Sequence, residues 1–338
     1  HEAAHGPVHS YAFRLPTDLA PLWEYAWVNR IALFLRRWAA RQANIPEDTL
    51  FGPLPEPEIR LTHDVDALEK TFPTRAKALA FDLFNAARLI SKGDLKQAFK
   101  RIKKGISFFF RCANYNHLDQ IKTLEQSFGQ TSTFNVYGGK TRTPRSLKSF
   151  LMDPGYDITN PKFSMPFQQL ANSGFRIGVH PSFDVFDDPI RLRAQMDRIE
   201  HACGQPVTEI RQHWLRFTWS GTWHAQEAAG LMLDTTLGFN DRPGFRNGAA
   251  LSMPAWIASE QRASKTLSSQ PLMLMDSHLF DYDLSDEATR RHTIDYWLDE
   301  VKAVRGLTTI VWHQRVFHPK DYGWGDDYKY LLSRLPCV

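Results

Sequence analysis

The sequence is poor in cysteine, with three in 338 residues, Cys112, Cys203 and Cys337, far apart and in no metal-ligand spacing. That excludes a disulfide framework and a structural zinc ribbon, and it fits a reducing compartment. Charge of one sign is also scarce. The net value is +4, with basic and acidic residues mixed along most of the chain, so nothing points to nucleic acid. No apolar run approaches the roughly 20 residues needed to span a bilayer, and no charged start with a short apolar core reads as a secretory leader. The expectation is a cytoplasmic protein, peripheral to membranes at most. Repeats of roughly 20–50 residues, Gly-rich phosphate loops and low-complexity tracts are missing as well, which removes solenoids and the standard nucleotide-binding loops.

What is present is an ordinary globular composition, 43% apolar, long enough for one large α/β domain or two smaller ones. Residues 17–42, "TDLAPLWEYAWVNRIALFLRRWAARQ", carry helical apolar spacing and stop before "IPEDTLFGPLPEPE". Residues 1–57 therefore read as a helical N-terminal appendage with a proline-rich linker. Across residues 58–338, strand-like runs recur at "EIRLTHDVD", "TSTFNVYGG", "FRIGVHPS", "VTEIRQHWLRF", "GLMLDTTLGF", "PLMLMDSHLF" and "TTIVWHQRVF", separated mostly by helical stretches. The alternation predicts βα units around a largely parallel sheet, open or closed into a barrel.

In such folds ligands bind beyond the carboxyl ends of the strands. Here those ends carry Asp64 and Asp66, His180, Arg211 and His213, Asp276 and His278, and His313. Each alone has a structural explanation, as a helix-capping aspartate or a buried histidine bonded to backbone. Asp64 and Asp66 sit at period two, so in an extended chain they share a face and repel unless a cation or a proton holds them. Several strands ending in Asp or His at one edge of the sheet favour a metal site with a catalytic carboxylate and imidazole.

The order "THDVD", "GVHP", an arginine-centred strand and a late strand ending in histidine resembles the polysaccharide deacetylases of carbohydrate esterase family 4, over about residues 58–335. "DPGYDI", "IGVHPSFD", "RQHWLRF" and above all "GFNDRPGFRNG" are similar to a divergent branch of that superfamily associated with surface polysaccharide gene clusters. The resemblance implies a distorted (β/α) barrel, usually of seven strands, and one divalent metal serving hydrolysis of an N-acetyl group on a sugar. It places the general base on Asp64, metal ligands on Asp66 and His180, the base-orienting arginine on Arg211 and the general acid on His313. The family's second metal histidine falls on Asp184, in "HPSFD". Either Asp184 or His213 can supply the third ligand, and His213 is preferred because it lies two residues beyond Arg211. A His/His/Asp set suits zinc and accepts cobalt, nickel, manganese or iron. The family's Asp-Trp motif is not recognisable; Asp241 and Arg246 are expected to stand in for it at the substrate, with Trp312 and His278.

Residues 94–111, "DLKQAFKRIKKGISFFFR", read as a basic amphipathic helix, either packed with a solvated basic face or lying on an anionic membrane. Aromatic residues make up 13% of the chain, and Trp214, Trp219, Trp223, Trp312 and Trp324 fall near the motifs, as core or as sugar-stacking platforms. Two other classes are compatible with parts of this pattern. A glycosyltransferase would use "DVD" to hold a metal-bound nucleotide sugar, and a non-catalytic carbohydrate-binding relative would keep the cleft without the chemistry.

Overall fold

The structure, a computed structural model, describes residues 10–91, 93–111, 113–140, 147–282 and 285–336. Nine strands form one sheet: β1 Glu58–Val65, β2 Ser132–Val136, β3 Arg176–Val179, β4 Glu209–Ile210, β5 Leu233–Asp234, β6 Met253–Ile257, β7 Arg262–Ser269, β8 Leu272–Met275 and β9 Leu307–Val311. Their order is β6-β7-β5-β4-β3-β2-β1-β9-β8, and every pairing except β6 with β7 is parallel. The sheet curls into a distorted (β/α) barrel. All seven anticipated strands form; the β6–β7 hairpin is an addition. β2 and β8 are buried along their whole length, as expected of parallel strands covered on both faces.

The helices are α1 Trp27–Ala43, α2 Glu47–Phe51, α3 Phe72–Ser91, α4 Leu95–Phe110, α5 Leu118–Ser127, α6 Leu147–Met152, α7 Pro161–Asn172, α8 Pro189–Cys203, α9 Thr222–Ala228, α10 Glu287–Ala303 and α11 Gly325–Arg334. Local chemistry sets their ends. The Asp188 carboxylate caps α8 by accepting from the Arg191 N–H at 3.0 Å, Pro189 follows, and α8 stops at Gly204 with φ of 75°. Helix-facing Phe134, Ile177, Val179 and Ile310 share one core cluster with Phe167 and Leu170 of α7, Met196 of α8 and Leu298 and Val301 of α10. Trp223 and Trp312 are fully buried in this core, and Trp324 nearly so, which settles them as packing residues; Trp214 is exposed. Cys203 is a buried free thiol, while Cys112 and Cys337 lie outside the described residues.

The N-terminal segment is docked on the barrel. Its α-helix begins at Trp27, ten residues later than the spacing suggested, because Thr17–Trp23 is 3-10 helical and the Ala26 N–H donates to the buried Glu300 carboxylate at 3.1 Å. Arg30 Nε donates to the same carboxylate at 3.0 Å, and Asn29 exchanges two hydrogen bonds with the backbone of Ala250. Phe245 N–H donates to the Trp23 carbonyl at 2.9 Å beside Gly244, whose φ of 146° and lack of a Cβ let that carbonyl approach; a Cβ there would meet it at 2.6 Å.

Glu300→Ala should therefore cost about 1–3 kcal/mol in denaturant unfolding, since it leaves a buried N–H without its acceptor. It should also speed proteolytic nicking of residues 44–57. Unchanged stability together with unchanged nicking would show that Glu300 does not hold the segment.

Candidate metal centre

Asp64 and Asp66 leave β1 on one side, and His63 leaves on the other. His63 stacks on Phe134 and bonds Glu125 at 2.7 Å, so this histidine of "THDVD" belongs to the core. Asp66 turns toward two histidines. His180 Nε2 lies 3.5 Å and His213 Nε2 3.7 Å from Asp66 Oδ1, and the three side chains offer one ligand atom each, all within 4.8 Å of one another. His180 Nδ1 bonds the Arg211 carbonyl at 2.8 Å, which fixes that ring and leaves its Nε2 free to bind a metal, whereas His213 Nδ1 lies 3.8 Å from Asp153 Oδ1, near it but without a hydrogen bond. The two oxygens of Asp66 are divided, because Oδ2 is ion-paired with Arg315 and lies 3.5 Å from His313 Nε2.

Asp64 sits beside this group, buried. Asn135 Nδ2 donates to its Oδ1 at 2.8 Å, and Arg211 Nη1 lies 3.3 Å away. Asn135 reaches it over Gly178, where a Cβ would meet the Asn135 Oδ1 at 2.4 Å. Arg211 is completely buried, although β4 ends at Ile210 and both Arg211 and His213 lie past the strand. His213 opens a short 3-10 turn in which Trp214 and Leu215 take φ of 58° and 50°. Two successive left-handed non-glycine residues cost roughly 1–3 kcal/mol each, and the turn is held by Asn240 Nδ2 on the Trp214 carbonyl and Arg246 Nη1 on the Leu215 carbonyl, both at 3.0 Å. The "GFNDRPGFRNG" motif thus braces the turn that carries His213.

His313 follows β9. Its Nδ1 bonds Asp276 Oδ1 at 2.8 Å and its backbone N–H donates to Asp276 Oδ2 at 2.7 Å, so Nε2 faces the carboxylates.

Electrostatics match a cation site. Burial pushes the Asp66 carboxyl up, but Arg315, His180 and His313 hold it well below the usual carboxylate range. Asp64 is likewise lowered: burial opposes its ionisation, and Arg211, His180 and His313 outweigh burial. His180 is raised, the pull of Asp64 and Asp66 overcoming desolvation, whereas desolvation keeps His213 below the ordinary histidine value. Two ionised carboxylates thus draw positive charge between them, a demand that a divalent ion meets, and the donors present fit one.

The other expected residues lie elsewhere. Asp184 is half-exposed and pairs with Arg191 at 3.1 Å, away from the cluster. Asp241 receives the N–H groups of Ala12 and Phe13 at 2.7 and 3.1 Å, so it holds the N-terminal segment. His278 accepts from the Met275 N–H at 3.1 Å and bonds the Phe239 carbonyl at 2.9 Å, a wholly backbone role. Trp312 is walled in by Phe280 and Tyr328. Arg246 lines a cavity of about 460 Å³ with Trp214, Arg216 and Met152; Trp214 and Met152 adjoin His213 and Asp153 in sequence, so the cavity adjoins the centre. Asn135, Asp153, Asp276 and Arg315 support the site and were not assigned from the motifs. Asp153 was visible inside "DPGYDI" and Asp276 at a strand end; Arg315, two residues past His313, carried only its spacing.

No family model and no curated protein matches the chain. Among solved structures, it is similar to a Mycobacterium smegmatis protein described provisionally as a polysaccharide deacetylase, at 15% identity and a TM-score of 0.46, over 83% of this chain and 87% of that one. It is also similar to the Xyl-CE4 domain of a multidomain xylanase from the hindgut metagenome of Trinervitermes trinervoides, at 9% identity and a TM-score of 0.32, over 82% and 80%.

His278 predicts a pH effect on stability. Burial drives its pKa down to about 4 in the folded protein, against roughly 6.5 unfolded. Between those values the unfolded chain binds the extra proton. The stability is complete above pH about 6.5 and falls as pH drops toward 4, by about 3 kcal/mol at most. In urea unfolding, His278→Gln should flatten that slope by about one proton, and an unaltered slope would refute the assignment.

Proposed function

We propose that this chain is a metal-dependent hydrolase that removes an N-acetyl group from an amino sugar of a polysaccharide or glycan precursor. The convergence of Asp66, His180 and His213 beside Asp64 and His313 carries the reading. The motif resemblance supplies its substrate class. Asp66, His180 and His213 would hold one divalent ion, zinc by donor type, with cobalt, nickel, manganese or iron as substitutes. When bound, the ion supplies Lewis acidity toward the acyl carbonyl and toward water.

The remaining roles belong to the chain. Asp64, kept ionised by Arg211, accepts the proton of the attacking water, while Asn135 keeps the carboxylate aimed. A carbon–oxygen bond forms and the carbon–nitrogen bond breaks. The departing nitrogen leaves as an amine, so it needs a proton, and His313 Nε2 faces the position from which to give it. Asp276 fixes the imidazole in the tautomer and orientation that this requires. Arg315 keeps Asp66 Oδ2 occupied and leaves Oδ1 to the histidine side. Arg246 and Trp214 provide walls for the sugar in the adjoining cavity.

Metal analysis of the purified protein should find about one divalent ion per chain. His213→Ala should lose it and Asp184→Ala should keep it; the opposite result would move the third ligand to Asp184. Asp64→Asn should retain the metal and lower acetate release from N-acetylated glycans by several powers of ten. Metal loss in that variant would make Asp64 a ligand, and retained metal in both His180→Ala and His213→Ala would favour a "DVD"-type glycosyltransferase.

A kinetic contrast tests His313. His313→Ala should leave metal content and thermal stability nearly unchanged, cut kcat strongly on an amide, and harm an ester with a good leaving group much less. Equal losses on both substrates, or a collapse in thermal stability, would assign His313 a structural role.

A further inference from the structure

Helices α3 and α4 form an antiparallel hairpin inserted between β1 and β2, at the same end of the barrel as the metal centre. Its base is tied down. Phe108 packs with Ala67 and Tyr115, Arg101 Nη2 donates to the Asp281 carbonyl at 3.3 Å, and Lys77 Nζ donates at 3.4 Å to the carbonyl of Asp153, the residue beside His213. Beyond the base the hairpin is unusually apolar on the outside. On α4, Leu95, Phe99, Ile106 and Phe110 recur at helical spacing, and Leu95, Phe99 and Phe110 are 67%, 69% and 76% exposed. Helical periodicity in an antiparallel pair puts Leu83 and Ile90 of α3, both exposed, on the same side. The exposed Lys96, Lys100, Lys103 and Lys104 flank the stripe.

Charge identifies what this face meets. Residues 72–111 hold ten Lys or Arg and two Asp, a net of +8 in a chain whose total is +4. A second copy would bring the same excess of positive charge against itself, which opposes pairing. An apolar stripe bordered by lysines instead matches the boundary between acyl chains and anionic headgroups, where the stripe sinks in and the lysines stay at the phosphates. No helix among the described residues is long and apolar enough to cross a membrane.

We propose that the α3–α4 hairpin docks this protein on an anionic lipid bilayer, with Leu95, Phe99, Ile106 and Phe110 inserted and the α4 lysines on the headgroups. The docking is independent of the catalytic reading above. It would bring the metal centre close to whatever the bilayer displays, because the hairpin base touches Asp153.

Vesicle flotation with the full chain tests this. The protein should float with vesicles of equal phosphatidylcholine and phosphatidylglycerol, far less with phosphatidylcholine alone, and less in high salt. Phe99→Ser combined with Phe110→Ser, and separately Lys100→Glu combined with Lys103→Glu, should each lower the bound fraction by about tenfold or more, with thermal stability and metal content unchanged. Absence of flotation with anionic vesicles, equal flotation with neutral ones, or undiminished flotation of both variants would overturn the proposal. So would a homodimer in sedimentation velocity that Phe99→Ser with Phe110→Ser dissolves while vesicles remain unbound.

Discussion

The site is organised around a buried guanidinium. Arg211 is removed from water entirely, and its three nitrogens donate to the Thr235 carbonyl at 3.0 Å, Thr62 Oγ1 at 2.6 Å and Thr309 Oγ1 at 3.2 Å, with Asp64 at 3.3 Å. Those partners belong to β1, β9 and the segment after β5, so one cation crosses the barrel interior and joins its walls. Desolvation lowers its pKa, yet a guanidinium keeps its proton, and a buried unpaired charge would cost several kcal/mol. Asp64 is the counter-charge. The carboxylate proposed above as the proton acceptor is thus also the one that lets the arginine sit in the core, and the Arg211 carbonyl fixes His180.

From Arg211 outward, each side chain of the cluster has a second residue beside it. Asn135 and Arg211 hold Asp64, Arg315 holds Asp66, Asp153 faces His213 and Asp276 holds His313. These partners come from β2 and from different loops on the carboxyl side of the sheet, which the curl of the barrel brings together. The arrangement is layered along the barrel: threonines and Arg211 below, the cluster of Asp66, His180, His213 and His313 above.

The strand framework was legible because parallel strands covered on both faces leave apolar runs that end abruptly in polar residues. Asp64, Asp66, His180, Arg211, His213 and His313 all stand at such ends, and the structure gathers them. The β6–β7 hairpin was not legible: "RASKTLSS" is mostly small and polar although it lies inside the edge strand β6, and it lacks the β-branched signature of the other interior strands. Asp241, His278 and Trp312 occupy the same strand-end regions as the centre, but their partners are the backbone of residues 12 and 13, the backbone around Met275 and Phe239, and the aromatic core. Only a returning N-terminal segment reveals what Asp241 binds, and sequence periodicity carries no sign of that return. Arg315 was missed for the opposite reason, since its partner was identified and its own position looked like ordinary loop.

The docking of that N-terminal segment has a consequence for the order in which the protein comes together. Ala12 and Arg30 find their partners, Asp241 and Glu300, 229 and 270 residues further along. At a synthesis rate of roughly 5–20 residues per second, the first helix waits about 14–54 s for Glu300 to be made. During that interval Leu33 and Ala40, the apolar residues that α1 buries in the folded protein, have no native surface to meet. Docking the segment closes loops of 270 and 274 residues, which makes it a late step in folding.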